Sequence, residues 1–138
     1  MRAAKLVVVS LLLGVLGGGV VAAPLEGSAA DHQWAVVYLR EPTLIGSTIV
    51  QGPVIFTHDE GKMARGEPCT TVQLFEPGLG PAEPIASFHC TPIRRSPVSM
   101  FTIRTRPNTQ DGIGCVLTEY QFAGDSEGHG VPQAGAAH

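Results

Sequence analysis

The residues best equipped for chemistry are His58, Cys69, His89 and Cys90. Imidazole and thiolate are ligands of zinc and copper, so the set raises a metal site. The spacing works against using all four. His89 and Cys90 are adjacent, and neighbouring side chains on a strand point to opposite faces, so both reach one ion only across a bulge. CxxC-type zinc spacing is absent as well. A subset of His58, Cys69 and His89 stays open to zinc or copper, and with it a metal-dependent protein or enzyme. The other fate of the thiols is a Cys69–Cys90 disulfide, which an oxidising compartment favours. That bridge is the expectation adopted, with Cys115 a buried, reduced thiol and no metal or cofactor assigned.

Two charged groups follow. His58, Asp59, Glu60, Lys62 and Arg65, with Glu67 close behind, place an imidazole beside carboxylates in a Gly-containing stretch. This is the first choice for a ligand-binding site, because binding residues concentrate on loops held by a rigid sheet. The alternative is a solvated hairpin tip. Arg94, Arg95, Arg104 and Arg106 cluster in the second half, and planar guanidinium forks suit carboxylates or phosphates. The expected partner is therefore an extracytoplasmic protein or an anionic ligand, unless these charges only guard a sheet edge.

Covalent catalysis lacks its parts. There is no G-x-S-x-G elbow, and Ser87, Ser96 and Ser99 have no ordered histidine and acid around them. Cys115 with His129 or His89 is the one thiol–imidazole pairing to consider. The glycines of GDSEGHG lack the strand-to-helix context of a phosphate loop. A non-enzymatic binding or structural module leads, and whether the protein is an enzyme stays open.

The elements that must position these residues read as β throughout. Cys69–Phe75 and Ile85–Thr91 are rich in β-branched and aromatic residues and flank the loop EPGLGPAEP, the composition of a hairpin. With Phe75 opposite Ile85, the two cysteines become diagonal neighbours. Further strands are expected at 34–39, 43–50, 54–57, 98–105 and 113–122. A break is expected at Gly46, and a bend through Gly52-Pro53 with the strand continuing. In the last of these strands Val116, Tyr120 and Phe122 share one face and Cys115, Leu117 and Glu119 the other. No segment after the leader keeps a helical period. The pattern predicts an all-β fold, a small antiparallel sandwich or barrel of six to seven strands.

The chain opens with Arg2 and Lys5, an apolar run from Leu6 to Val21 and then small residues, the layout of a secretory signal peptide. Residues 1–30 are the expected leader, cut after Ala30, with a cut after Ala22 as the alternative. That makes the product secreted or periplasmic, with no stable membrane span after processing. Residues 31–123 are then the β domain and 124–138, glycine-rich and without aromatics, a flexible tail carrying His129 and His138. A net charge of −3 over 138 residues excludes a general nucleic-acid binder, whose affinity rests on neutralising phosphates.

Overall fold

A computed structural model of the chain describes residues 25–29 and 31–133. Its strands are β1 (Leu25–Ala29), β2 (His32–Ile45), β3 (Thr48–Asp59), β4 (Thr70–Glu76), β5 (Gly80–Phe88), β6 (Thr91–Arg94), β7 (Thr102–Pro107), β8 (Cys115–Gln121) and β9 (Glu127–Gly130). One short helix, α1 (Glu60–Ala64), joins β3 to β4. All strands belong to one sheet with the path β5-β4-β3-β2-β8-β9-β6, to which β1 adds beside β2 and β7 beside β8.

The all-β expectation holds, and its details are corrected. There are nine strands among the described residues rather than six or seven. The sheet is mixed rather than antiparallel, because Thr43–Leu44 of β2 runs parallel to Cys115–Val116 of β8. It curls into a half-barrel. The path explains why: β5 and β6 stand at its two ends, yet only His89 and Cys90 separate them in the chain. Three residue steps from Phe88 to Thr91 span roughly 10 Å at full extension, so the two ends must meet there.

Gly46 is the turn of a long β2–β3 hairpin rather than a break within a strand. It adopts φ 63°, which a glycine takes without the steric cost of a Cβ. The strand does continue through Gly52-Pro53, as β3 shows. The expected hairpin forms as β4–β5, but its register differs. Thr70 pairs with Phe88 and Phe75 with Pro81, with shifts on both sides of Gln73. Pro81 and Pro84 have no N–H for the ladder, so this edge strand bulges where they fall.

β8 is the hub, flanked by β2, β7 and β9. Opposite Arg104 and Thr105 of β7 stand Glu119 and Leu117, so Thr118 is an extra residue. This bulge flips the alternation and puts Leu117 in the core with Tyr120 and Phe122. There they pack with Phe56, Phe101, Val54 and Val72. The Phe56 and Tyr120 ring centroids lie 5.3 Å apart, within the range of favourable aromatic pairs.

Both expected ends run into the sheet, and residues 134–138, with His138, lie outside the described residues. Residues 1–24 lie outside the described residues, so the leader itself does not come into view. Leu25–Ala29, assigned to it, nevertheless pairs with β2 from Val36 to His32. Gly27 lies under the Trp34 indole, where any Cβ would collide. The expected tail from 124 also begins inside the fold: Glu127–Gly130 is β9, clamped between β6 and β8. Among the described residues no helix is long and apolar enough to cross a membrane.

Candidate metal centre

Strands β3 and β9, the residue before β4 and the junction where the sheet ends meet supply one buried cluster. His58 follows Val54 and Phe56 on the inward face of β3, and all three are fully buried. Cys69 immediately precedes β4, held where the Asp59 N–H donates to the Cys69 carbonyl at 3.0 Å. Cys90 sits in the two-residue junction between β5 and β6. His129 projects from β9, opposite Tyr120 in the ladder, and its ring stacks on that tyrosine at 4.8 Å and 18°. The Tyr120 hydroxyl is itself hydrogen-bonded to the Thr70 hydroxyl, next to Cys69.

The donor atoms converge. Cys69 Sγ and Cys90 Sγ are 3.2 Å apart, and Cys90 Sγ is 3.5 Å from both His58 Nε2 and His129 Nδ1. Ligand atoms of His58, Cys69 and Cys90 all lie within 4.8 Å of one another. His129 joins them through Cys90. Zinc bonds of about 2.3 Å to sulfur and about 2.0–2.1 Å to nitrogen set tetrahedral ligand atoms roughly 3.5–3.8 Å apart. The two sulfur–nitrogen distances at Cys90 match that spacing. The sulfur–sulfur distance is somewhat short of it, and well beyond the roughly 2.05 Å of a disulfide bond.

Each remaining polar atom of the cluster fits the same picture. The Cys90 N–H donates to Cys69 Sγ at 3.3 Å. The outer ring nitrogens, His58 Nδ1 and His129 Nε2, are buried and have no hydrogen-bond partner. Both face carboxylates just beyond hydrogen-bond range: Glu60 Oε1 at 3.6 Å from the first and Asp125 Oδ2 at 3.8 Å from the second. Carboxylate behind histidine behind metal is how ligating imidazoles are oriented.

Burial sets the protonation states. It holds the His58 pKa below its usual value against the opposing pull of Glu60, Asp125 and Asp59. It lowers His129 to about 4, with His58 adding to the effect. Both imidazoles are therefore neutral at pH 7 and able to ligate. Burial, with Cys69 beside it, pushes the Cys90 thiol up to about 12. A thiol so protonated is inert as a nucleophile, and only a cation among these atoms makes its thiolate favourable. Glu127 is raised too, by burial and then by its carboxylate neighbours Asp125 and Glu60, so negative charge is crowded around the cluster.

Measured against expectation, the cysteine pair is adjacent, but the anticipated disulfide is not formed and all three cysteines are free. The hairpin does bring the pair together: Thr70 pairs with Phe88 at its base, and just beyond that pair the chain leaves β5 at His89 and turns Cys90 inward to meet Cys69. His89 is exposed and stands outside the cluster. The subset His58, Cys69, His89 is thus replaced by His58, Cys69, Cys90, with His129 beside them. Cys115 is buried elsewhere, 3.5 Å from the Thr43 hydroxyl.

The charged stretch divides. His58 and Glu60 belong to the cluster. Asp59 caps α1, its Oδ1 accepting from the Lys62 N–H at 2.9 Å, and Arg65 pairs on the surface with Glu67 at 3.1 Å. Of the arginines, Arg95 makes a two-pronged pair with Glu119 at 2.8 and 2.7 Å, and Arg104 reaches the same carboxylate at 3.5 Å. Arg106 donates to Gln133, and Arg94 is exposed. His129 had escaped notice as a cluster member because its strand, EGHG, carries no apolar pattern. No protein-family model, no curated protein and no solved structure matches this chain.

Proposed function

We propose that this is an exported β domain that binds one divalent metal ion, zinc by preference, through His58 Nε2, Cys69 Sγ, Cys90 Sγ and His129 Nδ1. One observation carries the reading: ligand atoms of His58, Cys69 and Cys90 gather in the core, His129 Nδ1 lies against Cys90, and both outer imidazole nitrogens are buried and unpartnered. A native core rarely leaves such atoms without a purpose.

The charge balance selects the ion. Two thiolates, two neutral imidazoles and a divalent cation leave no net charge in a buried site. A monovalent ion leaves one uncompensated negative charge beside Glu60, Asp125 and Glu127, which burial penalises. Zinc is also redox-inert and does not oxidise the sulfur pair.

The role is structural. A catalytic zinc keeps an open position for water or substrate, whereas all four ligands here are buried. The ion ties β3 and β4 to the junction and to β9, where the two ends of the curled sheet meet. Export rests on the leader. Of the two cuts, the one after Ala22 keeps β1 in the mature chain and is the cut proposed.

Elemental analysis of the full chain purified under mild reductant tests the reading, with about one zinc per chain and unreactive Cys69 and Cys90 expected. The sulfur proximity favours a second reading, a Cys69–Cys90 disulfide with no metal. An intact mass two hydrogen atoms short, in protein free of zinc, selects that reading and defeats the first.

A further inference from the structure

Two clefts open near the cluster, and they differ in charge. One, of about 400 Å³, is lined by Arg94 and Arg95, which outnumber its one carboxylate, Glu127. The other, of about 480 Å³, is lined by Asp31, Glu60 and Asp125 with His32 and carries no lysine or arginine. Two of its carboxylates are those that face the buried, unpartnered His58 Nδ1 and His129 Nε2. The opposite nitrogens of the same two rings lie against Cys90 Sγ.

We propose that the cleft formed by Asp31, His32, Glu60 and Asp125 is the loading port of the metal centre, a surface site that takes a hydrated divalent cation and passes it inward past His58 and His129. The proposal rests on the metal-binding reading above. Oxygen ligands and water suit a cation that has not yet shed its hydration shell, while imidazole and thiolate hold it after dehydration. Glu60 is half-exposed on α1 and Asp125 a quarter exposed, so both are placed to meet solvent and the histidines at once. A cleft lined by one sign of charge raises the local concentration of the opposite ion and speeds its capture, typically by about 10-fold or more.

The test is the rate of cobalt(II) uptake by the reduced full chain after a chelator has stripped it, followed at the thiolate-to-cobalt charge-transfer band. Asp31→Asn/Glu60→Gln is expected to slow association about 10-fold at low ionic strength. Asn is tolerated at position 31, where φ is 65°. Asp31→Asn alone, outside the ligand cluster, should slow it by a smaller factor. Glu83→Gln, on exposed β5, should leave it unchanged. The wild-type rate itself should fall as salt is added, a measurement that depends on no variant. Wild-type uptake that is insensitive to salt, or a double variant that loads within twofold of wild type, overturns the port while the metal site stands. Absence of the thiolate band in wild type sinks both readings together.

Discussion

Two buried polar clusters flank β8 and β9, and they are built on opposite terms. Glu119 is nearly buried, yet both its oxygens are engaged by Arg95 and one also by Arg104. That cluster is complete with the chain's own side chains. The His58–Cys69–Cys90–His129 cluster is as deeply buried but leaves two ring nitrogens unpartnered and two sulfurs in contact. Buried polar groups cost little when paired and several kcal/mol when not, so the second cluster is the one that calls for a ligand.

The sharpest way to break this comparison is Cys90→Ser. Metal content should fall from about one to about zero per chain, with a stability loss on the order of 5 kcal/mol or more, because binding energy of a structural ion is folding energy. Elemental analysis and denaturant unfolding measure the two effects. Cys115→Ser, outside the cluster, should leave the metal in place.

Acid should separate the clusters next. Metal binding displaces up to two thiol protons, and burial has raised the Cys90 thiol to about 12, so affinity falls as pH falls, by up to about 100-fold per unit. Burial holds both imidazoles below their usual value, His129 at about 4, so the thiols dominate the proton count. Zinc release to a chromophoric chelator between pH 7 and 5 should therefore show a slope near two. A slope near four would mean that both histidines bind protons over that range and are not held neutral by burial.

Smaller in effect is Glu119→Gln, which should cost about 2 kcal/mol without touching metal content, since the arginines it abandons are partly exposed and regain water. Arg95 holds the Glu119 carboxyl below its usual range. The stabilisation is thus full at neutral pH and lost as pH drops through that lowered value. The variant's stability should accordingly vary less with pH on the acid side than that of wild type, each carrying its metal. Smallest of all is Arg104→Ala: a half-exposed partner at 3.5 Å should contribute about 0.5 kcal/mol, read as a shift in the urea midpoint with unchanged slope.

Glycine-containing stretches show where sequence patterns mislead. In EGHG the glycines suggest a loose end, but a Cβ on Gly128 would strike the Glu119 carboxylate, so the residue is there for close approach rather than freedom. The outward cost is a strand with no apolar signature, and with it the loss of His129 from any list of ligands drawn from spacing. The same holds for Leu25–Ala29, whose Gly27 makes room for the Trp34 ring while resembling the small-residue end of a leader.

What the sequence by itself determined was local: β character throughout, a hairpin around the Pro/Gly loop, the continuation through Gly52-Pro53, and the nearness of Cys69 to Cys90. These follow from propensity, alternation and short chain separation, all of which act within a few residues. Tertiary structure alone decided that Cys90 and not His89 turns inward, that Thr118 reverses the faces of β8, and that His129 comes home to a cysteine 39 positions away. The first and last depend on where the curled sheet brings its two ends together and the second on the β7–β8 register, where a change of one residue exchanges inside for outside.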